Sequence, residues 1–538
     1  MFLFLPAYLS ASNLRQHSFM KQGSINAGCG ALLLLLSFLG DASADISAPS
    51  SQLTLERIHD KEELREKRFE LKWLKDGNHY TFLQKVDQGE YKNSKEIWIA
   101  NAADPDDSRV LVTAGELVTA DSETPLEVDG YAFSPDRTLL LIYTNSQRVW
   151  RRNSRGDYWV YSLQNKTLKK LGGANAAPSS LMFAKFSPDG KYVAYVRDSH
   201  IHVENLGDHA IRTLTTSDNS MIFNGRFDWV YEEELGIRDG FRWSPDGSAI
   251  AYWQFDETGV RRQTLVDNVS ALYPKVTRFG YPKVGQQNAS CRIGVVEVET
   301  AETTWIRVPG DPRENYLARM EWAGPKNSDQ LVIQQLNRAQ NKKLVMIAER
   351  RGGAVTTVLT EKDSTWVVVN NDLNWTPDGK SFTWTSERDG WEQLYRISRD
   401  GTKTTKLTTD NFDIDLLHVD TSGLWAYFLA SPQNPAHRYL YRVGLDGEGL
   451  TRLTPESERR GTHSYRISPS GDFAVWTRSD ADTPSITRLV SLPDHAVIKT
   501  LEGNLELHAK IRALNLAPVE FFDVQIEEGV RLPARCIH

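Results

Sequence analysis

The chain has 538 residues, 40% of them hydrophobic and 25% charged, which is enough for a large buried core and excludes disorder as the main state. Lys and Arg number 63 against 70 Asp and Glu, and the net charge of −7 offers no electrostatic footprint for a nucleic-acid binder. With 15 Trp, 19 Tyr and 20 Phe, the composition suits half-buried strands better than helices, so a β-rich body is expected.

The first expected element is an address. Lys21 precedes an apolar run from Ala31 to Leu39, and Ala42-Ser43-Ala44 follows it. The run is too short to span a bilayer, and the order of charge, apolar stretch and small-x-small site reads as a secretory signal peptide over residues 1–44. The apolar patch from Phe2 to Leu9 lies outside that scheme and points to Met20 as the true start. Cys29 precedes the apolar run, whereas a lipid-anchoring Cys would follow it. A secreted or periplasmic protein with no membrane attachment after cleavage is expected. Cys291 and Cys536 remain in the mature chain, too few for a disulfide framework and without the spaced companions of a zinc site.

One turn then recurs along the body. Strong copies are Phe133-Ser134-Pro135-Asp136, Phe186-Ser187-Pro188-Asp189-Gly190, Trp243-Ser244-Pro245-Asp246-Gly247, Trp375-Thr376-Pro377-Asp378-Gly379 and Ile467-Ser468-Pro469-Ser470-Gly471, with weaker ones at Trp73, Trp322 and Val419. Pro presets φ, Asp bonds nearby backbone and Gly takes the positive φ that closes a tight hairpin. Alternating apolar runs such as Tyr192-Val193-Ala194-Tyr195-Val196 and Ala249-Ile250-Ala251-Tyr252-Trp253 follow, as half-buried strands would. The period of roughly 56 residues fits one four-stranded unit per repeat. Radial repetition leaves only short sheet edges. The expectation is therefore an all-β, eight-bladed β-propeller over residues 45–510. Two β-sandwiches would not explain the constant interval.

Three stretches inside the repeats carry chemistry. Trp150-Arg151-Arg152 offers forked donors for a carboxylate or a peptide carbonyl, although exposed Arg pairs are common on any surface. Asp228-Trp229-Val230-Tyr231-Glu232-Glu233-Glu234-Leu235 interrupts the blade period. Its three adjacent carboxylates are either a solvated acidic face or a cation site, in which convergent carboxylates accept the three donors of a primary ammonium. Tyr273-Pro274-Lys275 and Tyr281-Pro282-Lys283 bracket an extended segment, read as a structural arm or rim.

These residues resemble the dipeptidyl peptidase IV family and its bacterial members. The resemblance rests on Asp228 to Glu234, Trp243-Ser244-Pro245, Gln254-Phe255-Asp256, the doubled Tyr-Pro-Lys, and Trp150-Arg151 with Tyr158 beyond it. Gln335 to Asn341 and Ser386-Glu387-Arg388-Asp389-Gly390-Trp391 extend it, in the family's order, from about Leu53 to the C-terminus. Gln393 departs from the family's bacterial pattern, which has His there, and is read as a minor blade change. The resemblance implies a serine exopeptidase that releases X-Pro or X-Ala dipeptides. In that family the propeller holds the substrate's free amine on paired glutamates and a peptide carbonyl on an arginine. Carried over, these substrate-binding residues are Glu233 and Glu234, with Glu232 their neighbour, and Arg151. The propeller would act as a ruler, contributing position rather than a reacting atom.

The family's nucleophile sits on a G-x-S-x-G elbow of an α/β-hydrolase domain, and no such pattern occurs here; Gly379-Lys380-Ser381-Phe382-Thr383 comes nearest, on a blade turn. Residues 511–538, with Val519 to Ile526 and Arg531 to Ala534, resemble the first hairpin of that domain. The sequence-level expectation is thus a truncated peptidase with no catalytic residue in this chain, inactive alone, and with no metal or other cofactor. Expected partners are peptides with a free N-terminus, a second copy, or a separate hydrolase chain, and no nucleic acid. The competing reading is a non-catalytic propeller that binds peptides or proteins.

Overall fold

The computed structural model describes residues 51–409, 411–458 and 460–537, so the signal-peptide reading falls outside the described residues. The chain divides into two compact units, Met1–Gln52 and Leu53–His538, and every element below belongs to the second. That unit is nearly all-β. Among the described residues the α-helices are short: Leu55–His59, Trp229–Glu233 and Leu505–Arg512.

The strands follow one another as antiparallel meanders. The first runs from Leu71–Trp73 to Ser108–Val112. Two more, Gly130–Phe133 to Leu168–Lys170 and Leu181–Phe186 to Ile211–Thr213, merge into one sheet because Arg155 and Gly156 pair with Met182 and Leu181. A five-stranded sheet extends from Ile222–Asn224 to Thr303–Trp305. The doubled Tyr-Pro-Lys segment forms a separate two-stranded arm, Arg262–Asp267 with Lys275–Gly280. Further meanders run from Asn315–Trp322 to Val355–Lys362, Ser381–Ser386 to Thr404–Lys406, Ile414–Val419 to Thr451–Arg452, and Thr462–Ile467 to Val497–Glu502. A hairpin, Val519–Glu527 with Val530–Ile537, comes last.

The recurrent turn owes its shape to its side chains. In each strong copy the hydroxyl of Ser or Thr accepts from the amide five residues on: Leu139 on Ser134 (3.0 Å), Tyr192 on Ser187 (3.0 Å), Ala249 on Ser244 (2.9 Å), Ser381 on Thr376 (3.1 Å) and Phe473 on Ser468 (3.1 Å). Where Asp is present, the same hydroxyl donates to it, at 2.6 Å in Ser187–Asp189. The weak copies at Trp73 and Val419 close on the same backbone pattern, Leu74 N to His79 O and Asp420 N to Trp425 O. The copy at Trp322 differs. Ala323 N reaches Gln330 O, two residues further along, and Asn327 supplies the turn's side-chain acceptor.

Packing corrects one expectation. The strands after the turns are not half-buried: Ala249–Asp256 is buried at every position but its last, and Tyr192–Arg197 at all four central ones. The cause is that consecutive meanders stack face to face, so a central strand has a neighbour on both sides. Ile97 and Val112 share a cluster with Tyr131 and Leu140; Leu141 and Tyr158 with Val193 and Tyr195; Val196 and Ile201 with Ile250 and Val296. The series continues through Trp253 with Ile333, Val345 with Trp384, Leu394 with Phe428, and Tyr427 with Trp476. It closes on itself, because Val475 and Leu489 of the last meander pack with Leu71 and Tyr80 of the first.

Candidate functional site

The strand Ala249–Asp256 organises the glutamate segment. Ile222–Asn224 and Phe241–Trp243 pair along the same edge of that strand, Asn224 opposite Gln254 and Phe241 opposite Tyr252. Between them the chain leaves the edge at Trp253 for residues 225–240. The excursion is pinched shut where Gly225 N donates to Trp253 O, Trp253 N to Gly240 O and Gly240 N to Gly225 O. This is why the blade period lengthens there.

The excursion carries the helix Trp229–Glu233. Asp228 caps it, its carboxylate accepting from Tyr231 N at 3.0 Å. Tyr231 is buried against Phe227 and Phe255, and its hydroxyl accepts from Leu317 N at 2.9 Å. With Tyr231 pointing into the core, a helical step of 100° fans the following three glutamates out. Glu232 turns inward and is buried, 4.0 Å from Arg238. Glu233 is partly exposed, and Glu234 stands in solvent.

Arg151 meets this helix across 82 residues of sequence. Its Nε donates to one oxygen of Glu233 at 2.6 Å and its Nη2 to the other, a forked pair. Aromatic rings brace both partners. Trp150 packs on Phe279 (4.5 Å), Phe279 on Tyr281 (5.9 Å), and Tyr281 on Trp229 (4.1 Å). The arm's base thus joins the arginine loop to the glutamate helix. The doubled Tyr-Pro-Lys segment is the arm that the sequence suggests, and the contact of Tyr281 with Trp229 is tertiary.

Beneath the helix lies a buried charged layer. Burial pushes the Asp228 carboxyl up to about 7, against the hydrogen bond from Tyr231 N, and Glu257 adds to the rise. Burial likewise pushes Glu232 up to about 7, while Arg238 and Arg226 pull it down. Arg226 sits over the Phe223 ring at 3.8 Å and donates to Ser199 Oγ at 3.1 Å. The two glutamates reachable from solvent, Glu233 and Glu234, therefore stand on a layer of carboxyls that gain from being neutral. Of the residues expected at the site, Glu233 and Arg151 pair directly, Glu234 is their exposed neighbour, and Glu232 belongs to the layer below. Among the described residues no group of three or more His, Cys, Asp or Glu is placed to hold a metal ion. The described thiols, Cys291 and Cys536, are free.

The family model of the dipeptidyl peptidase IV (DPP IV) N-terminal region matches residues 134–485. A dipeptidyl peptidase 4 of Arthroderma otae is 27% identical over 438 residues, which cover 79% of this chain and 55% of that protein. One from Trichophyton rubrum is 25% identical over 436 residues, with the same coverage. The chain thus spans about half the length of these relatives. The crystal structure of Porphyromonas gingivalis dipeptidyl peptidase 4 superposes with a TM-score of 0.81 at 24% identity, over 90% of this chain and 67% of that one.

Proposed function

This chain belongs to the dipeptidyl peptidase IV N-terminal-region family, and from that premise we propose that it is the substrate-anchoring propeller of a secreted dipeptidyl peptidase. The proposed fold detail is eight blades over residues 45–510. Its support is the cyclic series of packed meanders, the last against the first. The exposed hairpin within 511–538 is read as the opening of the hydrolase domain, which would cover Phe521, Phe522 and Ile526.

The observation that carries the reading is the forked Arg151–Glu233 pair with exposed Glu234 beside it. A carboxylate held by a guanidinium fork still has lone pairs facing away from it. An incoming ammonium would use those on Glu233 together with both oxygens of Glu234, while spare Arg151 donors remain for the first peptide carbonyl. The reaction proposed for the whole protein is release of N-terminal X-Pro or X-Ala dipeptides. The contribution of these residues is to fix the distance from the amine to the scissile bond.

Calorimetric titration of the purified chain with Gly-Pro-Ala amide tests the anchor. Binding is expected, N-acetylation of the peptide should abolish it, and Glu234→Gln should weaken it about tenfold, the scale of a charge-assisted hydrogen bond. Affinity should also fall as pH rises through the peptide amine's pKa of roughly 8, because the cation is lost. Equal affinity for the acetylated peptide would overturn the reading.

A further inference from the structure

A cavity of about 290 Å³ opens directly behind the glutamate segment. Gly236 and Ile237 line one side, only two and three residues beyond Glu234, so their backbone lies within about 7–11 Å of it. Arg242, Arg319, Glu321 and Asn371 line the cavity as well. The two arginines differ. Arg242 is neutralised, with Nε on Glu321 at 2.6 Å and Asp239 at 3.7 Å. Arg319 has no carboxylate within ion-pair distance among the described residues. Its fork donates to neutral oxygens instead: Asn371 Oδ1 (2.8 Å), Ala318 O (2.6 Å) and Leu235 O (2.9 Å).

The position of Arg319 has a structural cause. The strand Asn315–Trp322 bulges between Leu317 and Arg319, and the glutamate segment docks on that bulge through Tyr231 and Leu235. Arg319 follows the bulge and lines the cavity. Burial and the neighbouring charge of Arg242 pull Arg319 down to about 10, with Glu321 offsetting part of the fall, so the cavity wall carries a cation without a direct carboxylate partner. Asn371 is exposed, and its carboxamide oxygen is occupied by Arg319, which leaves its NH₂ donors free to turn to a ligand. A half-buried guanidinium whose partners are neutral oxygens, beside an amide donor, is a carboxylate-binding set.

We propose that Arg319 and Asn371 form a subsite for the side-chain carboxylate of an acidic first residue, so that the chain prefers peptides beginning with Glu or Asp. The inference rests on the amine-anchor reading, which puts the first residue's side chain within reach of the cavity. Arg319 would hold the carboxylate with the remaining hydrogens of Nη1 and Nη2, Asn371 would add a donor, and Arg242 would stay paired with Glu321.

The test is calorimetry on the purified chain with Glu-Pro-Ala amide and Met-Pro-Ala amide, each also N-acetylated. Met matches Glu in length without its charge, and the amide removes the terminal carboxylate. The expected result is about tenfold tighter binding of the Glu peptide. Arg319→Gln should erase that preference. Because Arg319 also holds Leu235 O, Asn371→Asp serves as a second variant: it leaves the guanidinium in place but supplies a competing carboxylate, and should bring the two peptides to equal affinity. Equal affinity in the wild-type chain, with binding still dependent on the free amine, would overturn the subsite and leave the anchor standing. A Glu preference among acetylated peptides that bind as tightly as their free-amine counterparts would support the subsite and overturn the anchor. Absence of both effects would overturn both. A preference that persists in both variants would overturn the assignment to Arg319.

Discussion

Three adjacent glutamates have three different fates, and direction alone decides them. Tyr231 anchors the helix in the core, so Glu232 is carried under it while Glu233 and Glu234 face outward. The buried members set a pH dependence. Asp228 and Glu232 have folded-state values of about 7 against ordinary values of 3.8 and 4.5. Between those limits these two carboxyls hold protons that the unfolded chain releases, so their contribution to stability falls as pH rises from about 4 to 7, while His202 and His463, lowered by burial to about 4, contribute in the opposite sense. Asp228→Asn keeps a good helix cap and removes the charge. It should raise stability at pH 8 by about 1–3 kcal/mol relative to pH 5 and remove the share of the fall between about pH 4 and 7 that Asp228 contributes. Thermal unfolding of both proteins at pH 5 and pH 8 measures this; an unaltered slope in the variant would show that Asp228 is not the group responsible.

At the scale of elements, the site depends on a neck, and a separate clasp joins two other meanders. The neck is the close approach of Gly225 and Gly240. A Cβ on Gly240 would lie 2.5 Å from the Gly225 carbonyl carbon and 2.7 Å from Arg226 N, both backbone atoms that cannot swing aside. Gly240→Ala should therefore cost about 1–3 kcal/mol and displace the helix. Its loss of peptide affinity should exceed its loss of stability, since the strain lies at the base of the excursion. Affinity equal to wild type would argue that the neck does not position the glutamates. The clasp explains a motif that the site does not use. Ser386 and Arg388 of Ser386-Glu387-Arg388-Asp389-Gly390-Trp391 both bind Glu361, as do Trp384 Nε1 (3.1 Å) and Lys343 (2.9 Å). This node fastens the meander ending at Val355–Lys362 to the one beginning at Ser381–Ser386, so the motif serves packing. Gln393 has a similar place: buried, with Nε2 donating to Phe412 O at 2.6 Å, it ties two meanders together.

For the whole molecule, closure is the costly step, because the first and last meanders lie about 400 residues apart in sequence. Polar latches accompany the apolar seam. Trp73 Nε1 donates to Arg466 O at 3.0 Å, and Arg466 Nη2 to Phe69 O at 2.8 Å. Asn504 is the most committed latch. It is buried, adopts φ +46°, accepts from Lys67 N (2.9 Å), and donates to Lys67 O (3.0 Å) and Ser485 O (2.8 Å). Asn504→Ala loses these bonds and strains the left-handed backbone, a combined cost of about 2–4 kcal/mol. Asn504→Gly keeps the backbone and loses only the bonds, so it should be less damaging. The expected readouts are a lower Tm and faster proteolysis of residues 53–70 in both variants. Proteolysis at the wild-type rate would show that closure does not rely on this latch.

The sequence by itself determined what is local. The Ser-Pro-Asp-Gly turns were legible because their hydroxyl, carboxylate and glycine act within six residues, and their return at a steady interval disclosed stacked β-meanders. The glutamate triplet and Trp150-Arg151 were legible as candidate chemistry for the same reason. Tertiary structure alone decided the rest. It buried the central strands on both faces, because meanders stack on each side of them. It sorted the glutamates, placed Arg151 on Glu233, set Tyr281 against Trp229, and brought Arg319 and Gly236 to line one cavity. These pairings join residues tens to hundreds of positions apart. No turn or periodicity encodes them, because they exist only once packing has brought separate meanders into contact.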